Sequence, residues 1–117
     1  MEDEEEKMRI AIIGTTAYQD KMQAHKEKME LQGHQVDIPA FDSHPELDAF
    51  GICKYNRGLI READEVHIFW DQRSMGTVLD FGMAFMADKP IRIIYMESKT
   101  LRGVMEEYER EVSHARD

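Results

Sequence analysis

Val66-His67-Ile68-Phe69-Trp70-Asp71-Gln72-Arg73-Ser74-Met75-Gly76-Thr77-Val78-Leu79-Asp80-Phe81-Gly82-Met83-Ala84-Phe85-Met86 reads as an apolar strand, a polar loop and a helix that holds a carboxylate among apolar neighbours. The run 66–70 is rich in β-branched and aromatic residues and is bounded by Asp64 and Asp71, the pattern of a strand covered on both faces, which is expected over 65–70. In an open α/β sheet such a strand delivers its C-terminal loop to the ligand crevice. Gly76-Thr77 then opens a helix, whose unpaired N–H groups and positive dipole end favour a phosphate, carboxylate or sugar oxygen. Asp80 lies one turn inside, with its side chain leaning back toward the helix start. Asp71, Ser74, Gly76, Thr77 and Asp80 are therefore expected around one crevice, with Trp70, the last residue of the strand, beside the substrate.

The segments on either side repeat the alternation of strand and helix. A strand over 8–13 ends at Gly14 and gives way to a loop, Thr15-Thr16-Ala17-Tyr18; a helix over 20–32 stops at Gly33, a good C-terminal signal. A short strand over 35–38 is halted by Pro39. A helix over 45–62 follows, with Ser43 or His44 near its cap and Ala49, Ile52, Asn56, Leu59, Ile60 and Ala63 on one face. After the helix at 76–87 come the turn Asp88-Lys89-Pro90, a near-continuously apolar strand over 91–95 and an amphipathic helix over 101–112. This order implies a doubly wound, Rossmann-like α/β fold, a parallel sheet with helices on both faces. The expected strand order is 2-1-3-4, so the loops after Ile13 and Trp70 face each other at the switch point, with Gly14 and Thr15 on one wall.

The 117 residues make one domain, 8–117, behind an acidic tail at 1–7 that is expected to stay solvated and disordered. A net charge of −9 with no basic run excludes a general nucleic-acid binder. Cys53 is the only cysteine, so no intramolecular disulfide forms within one chain and a reducing compartment is expected. No basic segment followed by an apolar one opens the sequence, and no run approaches the roughly 20 residues that span a bilayer. The expectation is a cytoplasmic protein with no membrane contact.

Most candidate chemistries lack their motif. Gly14-Thr15-Thr16 sits where a phosphate loop would, without the Gly-x-Gly-x-x-Gly or Gly-Lys-Ser/Thr pattern of dinucleotide or triphosphate sites. Asp80-Phe81-Gly82 repeats three letters of a kinase motif, but the glycine-rich loop, strand lysine and catalytic loop of a kinase are missing. The 5 histidines are scattered without the close pairing of a zinc site, and no metal is expected. Asp80 stands out because Val78, Leu79, Phe81, Met83, Phe85 and Met86 surround it; a helix apolar on nearly all sides is expected to be buried. An ionised carboxylate there costs several kcal/mol unless it is paired or hydrogen-bonded. It is either a structural group bonded to a tyrosine or loop N–H groups, or a nucleophile or acid–base group with a tuned pKa. Asn56, polar on an apolar helix face, raises the same question.

Ala63-Asp64, the strand ending in Asp71, Gly76-Thr77-x-x-Asp80-x-Gly82-x-Ala84 and Lys89-Pro90-Ile91 together resemble nucleoside 2-deoxyribosyltransferases and the related deoxynucleoside monophosphate N-hydrolases. The likeness runs from the first strand to the fourth and implies a compact flavodoxin-like fold. It implies cleavage or transfer at the N-glycosidic bond of a 2-deoxynucleoside or its 5′-monophosphate, through a carboxylate nucleophile as in retaining glycosidases. Asp80 occupies the nucleophile position, Asp71 would contact and help protonate the leaving base, and Tyr18 would orient the nucleophile. Ser74 and Gly76 match positions that hold the 5′ end of the substrate in the monophosphate-cleaving branch. A homodimer and no cofactor are also implied. The family nucleophile is glutamate, about 1.5 Å longer in reach than aspartate. The alternative function is accordingly a non-catalytic nucleotide-binding module that kept the crevice and lost the glutamate.

Overall fold

The structure is a computed structural model that describes residues 7–38, 46–97 and 100–116, with the side chains of 114–116 left aside. Strand β1 (Arg9–Gly14) leads through a 3-10 turn at Thr16–Tyr18 into helix α1 (Gln19–Leu31) and strand β2 (Gln35–Asp37). Helix α2 (Ala49–Glu62), strand β3 (Glu65–Trp70), helix α3 (Met75–Met86), strand β4 (Ile91–Met96) and helix α4 (Leu101–Arg116) follow. The four strands form one all-parallel sheet in the order β2-β1-β3-β4. This is a doubly wound α/β fold, as the alternation of elements predicts.

Strand alternation sorts the core into two layers. Ala11, Ile13, Val66 and Ile68 face α2 and α3 and pack with Ile60, Ala63 and Ala84. Ile10, Ile12 and Phe69 face the other way, toward α1, and pack with Met22, Val36 and Tyr18. Arg9 and Asp64 tie the lower ends of β1 and β3, since the Arg9 N–H donates to the Asp64 carboxylate at 2.8 Å.

Several boundaries and burials differ from the sequence reading. The acidic tail at 1–6, the stop at Pro39 and the cap at Ser43 or His44 lie outside the described residues. Helix α2 starts at Ala49 rather than at position 45, because Asp48 caps it, its carboxylate accepting from Gly51 N–H at 2.7 Å. The first loop is partly helical, and the last helix continues to Arg116.

The larger correction concerns α3, expected to be buried nearly all round. Only Thr77, Asp80 and Ala84 are buried, while Phe85 and Met86 are 69% and 81% exposed and Val78, Leu79 and Phe81 lie open as well. Strand β4 is likewise open on the α3 side, where Ile91 and Ile93 are exposed and, among the described residues, have no covering helix. Apolar composition alone does not fix which face is covered, and here one face alone packs on the sheet. Among the described residues no helix is long and apolar enough to cross a membrane.

His67, buried in β3, links the sheet to α1. Its Nε2 lies 2.8 Å from Glu65 Oε1 and its Nδ1 lies 2.7 Å from His25 Nε2. A carboxylate only accepts, which assigns the Nε2–H tautomer to a neutral His67 and leaves Nδ1 to accept from His25. Burial lowers the pKa of His25, and the neighbouring His67, Lys28 and Arg92 lower it further. The unfolded chain therefore takes up a proton near pH 6.5 that the folded chain refuses, and the neutral His25 contribution is lost as pH falls through that range. The stability advantage of the wild type over His25→Gln, measured as a urea midpoint, is expected to shrink from pH 7.5 to pH 5.5; a constant difference would contradict this.

Candidate functional site

The tips of β1 and β3 are joined by side chains as well as by the sheet. Thr15 Oγ1 donates to Asp71 Oδ1 at 3.1 Å and accepts from the Asp71 N–H at 3.1 Å, with both residues buried. The Thr15 N–H donates to the Phe69 carbonyl at 2.9 Å. Gly14 pairs with Phe69 in the sheet, and a Cβ built on it would fall 2.3 Å from that carbonyl oxygen. The glycine therefore serves the close approach of the two strands, beyond any contact with a ligand. The expected confrontation of the loops after β1 and β3 is present.

Asp71 also shapes its own loop. Its Oδ1 accepts from Arg73 N–H at 2.8 Å and from Ser74 N–H at 2.9 Å, a turn that takes Gln72 to a φ of 65°. Ser74 then caps α3, with Oγ accepting from Thr77 N–H at 3.4 Å and from Thr77 Oγ1 at 3.1 Å. The Trp70 indole N–H donates to the Ser74 carbonyl at 3.1 Å and closes the loop from the side. Gly76 is exposed, and a Cβ there would meet only Ser74 Oγ, at 4.0 Å. The first turn of α3 is thus open to a ligand beside Gly76, and Thr77 lines its inner face.

Asp80 lies on that inner face, three and four positions after Thr77 and Gly76, and is 8% exposed. Burial pushes its carboxyl up to about 6, opposed by a hydrogen bond from the buried Asn56 amide of α2. Asn56, a polar residue on the buried face of α2, is therefore a partner of the buried carboxylate. Lys89, from the turn after α3, fixes the end of α2 by donating to the Arg61 and Ala63 carbonyls at 2.8 Å each.

Tyr18 is buried in the α1 layer, its ring edge-on to Tyr95 with centroids 5.0 Å apart. Burial raises its pKa, and the negative charges of Glu97 and Asp71 raise it further. Glu97 itself, just past β4, accepts from Tyr95 Oη at 2.6 Å. That hydrogen bond is the largest cause of the raised Tyr95 pKa. Glu97 is a site-adjacent acid that the sequence reading missed. The available signal was its position, since the residue after each parallel strand points into the crevice region.

Among the described residues no group of three or more His, Cys, Asp or Glu is placed to hold a metal ion. No family model matches the chain, and no curated protein is significantly similar to it in sequence.

Proposed function

We propose that this chain cleaves or transfers at the N-glycosidic bond of a 2-deoxynucleoside or its 5′-monophosphate, with Asp80 as nucleophile. The observation that carries this reading is a buried carboxylate with its pKa raised to about 6, held by Asn56 behind the open first turn of α3. In the first step an Asp80 oxygen bonds to C1′ as the C1′–N bond breaks, and the electron pair of that bond leaves with the base, which takes a proton from solvent water. Water or an acceptor base then attacks C1′ and releases the carboxylate. Asp71 Oδ1 accepts three hydrogen bonds, from Thr15 Oγ1, Arg73 N–H and Ser74 N–H, which commit that oxygen to holding the loop. We assign Asp71 to shaping the crevice wall rather than to supplying the proton. Gly76 and the N-terminal amides of α3 receive the 5′ end of the substrate, and Trp70, Thr15 and Thr77 wall the crevice.

A second reading, a nucleotide-binding module without turnover, is favoured by the Ser74 and Thr77 hydroxyls being bonded to each other and by the short reach of Asp80. Incubation with each deoxynucleoside and deoxynucleoside monophosphate, with and without acceptor base, separates the two when free base is followed by chromatography. The expected result is turnover that rises with pH through about 6, as Asp80 ionises, and falls at least ~1000-fold in Asp80→Ala, a loss of about 4 kcal/mol in barrier lowering. Inactive wild type with activity in Asp80→Glu would identify a catalyst disabled by the missing methylene. Saturable binding without turnover in either would establish the binding module.

A further inference from the structure

At the end of the sheet opposite the crevice, a cavity of about 380 Å³ opens between the last turn of α1 and the first residues of β3 and β4. All strands are parallel, so Glu65 and Arg92, at the starts of β3 and β4, lie a strand's length from Thr15, Asp71 and the start of α3. Met8, Ile10 and Met29 give the cavity an apolar floor.

Four polar side chains line this cavity with bonding capacity that the described residues leave unused. His34 is 7% exposed, and its Nδ1 accepts from the Met8 N–H at 3.0 Å, so the neutral imidazole carries its proton on Nε2. That N–H has no acceptor among the described residues, and it is not sealed off from the cavity. A donor in so buried a ring is costly to leave unmet. Glu65 gives Oε1 to His67 Nε2 and keeps Oε2 unbonded. Arg92, beside His67 in the sheet register, makes no side-chain hydrogen bond or ion pair among the described residues. The Gln32 carbonyl accepts from Lys7 Nζ at 3.2 Å, which leaves the Gln32 side-chain amide to the cavity.

The order of these groups across the sheet decides what fits between them. His34 stands just before β2 at one side, Glu65 opens β3 two strands away, and Arg92 lies one strand further on β4. Strands are about 4.8 Å apart, so the backbones at the two ends are about 14 Å apart, and the side chains reach inward from there. A cation and a carboxylate on adjacent strands that share a cavity without pairing are matched by a ligand with the opposite charges equally close together. In an α-amino acid a single carbon carries both ammonium and carboxylate, and a guanidinium takes a carboxylate through two parallel N–H bonds. The remainder of such a molecule runs over Met8, Ile10 and Met29 toward the His34 N–H and the Gln32 amide. Those neighbours select a side chain that is mostly apolar and ends in an acceptor.

We propose that this cavity binds a free α-amino acid, with its carboxylate on Arg92, its ammonium on Glu65 and a side-chain acceptor on His34 Nε2–H. L-Glutamine has that length and polarity. The site shares no residue with the crevice, so it stands or falls independently of the role of Asp80.

Calorimetric titration of the full chain with L-glutamine tests this, alongside 4-carbamoylbutanoate, which lacks the ammonium, 4-aminobutanamide, which lacks the carboxylate, and L-leucine, which lacks the side-chain acceptor. The expected result is saturable glutamine binding with Kd below about 1 mM, weakened by about tenfold or more in each analogue and in Arg92→Gln. Arg92 is exposed, so circular dichroism should show that variant folded. In the wild type the His34 imidazole nitrogens should shift on addition of glutamine, which locates the ligand without any substitution. Absence of saturable binding would overturn the proposal and leave a solvent-filled cavity only. Binding that survives Arg92→Gln, leaves the His34 nitrogens unmoved, or is matched by the analogues would overturn it equally.

Discussion

Asp80→Asn is expected to make the folded chain more stable at pH 8 by about 3 kcal/mol, from roughly two pK units at 1.36 kcal/mol each, and, on the proposed function, to leave no turnover. In the unfolded chain the Asp80 carboxyl ionises near its ordinary value of 3.8, and in the folded chain near 6. Above pH 6 both forms are ionised, and the folded form alone bears the cost of a buried charge. As pH falls from 6 to 3.8 the folded form takes up its proton first, so that cost fades, and below 3.8 it is gone. Asparagine is neutral throughout, nearly isosteric, and still able to bond the Asn56 amide. Its advantage should therefore be full at pH 8, shrink between pH 6 and pH 4, and vanish below. Urea titrations of the two proteins at pH 8, 5 and 3.5 measure it. If Asp80→Asn is instead less stable at pH 8, the carboxylate is a satisfied structural group and its raised pKa has no functional meaning. A site that gains stability when its reacting group is neutralised is one in which folding has been compromised for chemistry.

That contrast could be posed from the sequence, because Asp80 and Asn56 each stand out as polar residues in apolar helices. Their pairing could not, since periodicity locates a residue on a face but does not say which faces meet. The same limit explains α3. Val78, Leu79, Phe81, Phe85 and Met86 make a helix apolar on nearly every side, a pattern that fits burial inside one chain and burial between two equally well. Strand β3 was legible to the residue, because Asp64 and Asp71 bracket a run that is apolar apart from Glu65 and His67 and because parallel strands carry that signature. The start of α2 was misplaced because a proline at 45 imitates a first-turn residue, whereas the carboxylate of Asp48 captures the Gly51 N–H and fixes the cap. The Glu65–His67–His25 chain was invisible for a plainer reason: 42 residues separate the two imidazoles, and only the packing of α1 on β3 brings them together.

Gly14→Ala is expected to destabilise the chain by about 3 kcal/mol or more, at the upper end of what overpacking costs. The added methyl would lie 2.3 Å from the Phe69 carbonyl oxygen, 2.9 Å from Phe69 Cβ and 2.8 Å from Met22 Sδ. The Met22 side chain can rotate away; the carbonyl cannot, because it accepts the Thr15 N–H at 2.9 Å and belongs to the β1–β3 register. Relief requires the two strand tips to separate, and that pulls Thr15 Oγ1 from Asp71, whose Oδ1 holds the turn leading into α3. The substitution should therefore weaken ligand binding in whatever fraction remains folded. Gly58→Ala gives the opposite expectation from the same change in composition. Nothing lies within 4 Å of a Cβ built there, and alanine in the interior of α2 should add up to about 1 kcal/mol by helix propensity. Parallel urea titrations of the two variants should move in opposite directions. If Gly14→Ala costs less than 1 kcal/mol, β1 and β3 do not approach as closely at the crevice as the structure has them, and the Thr15–Asp71 wall of the site fails with that contact.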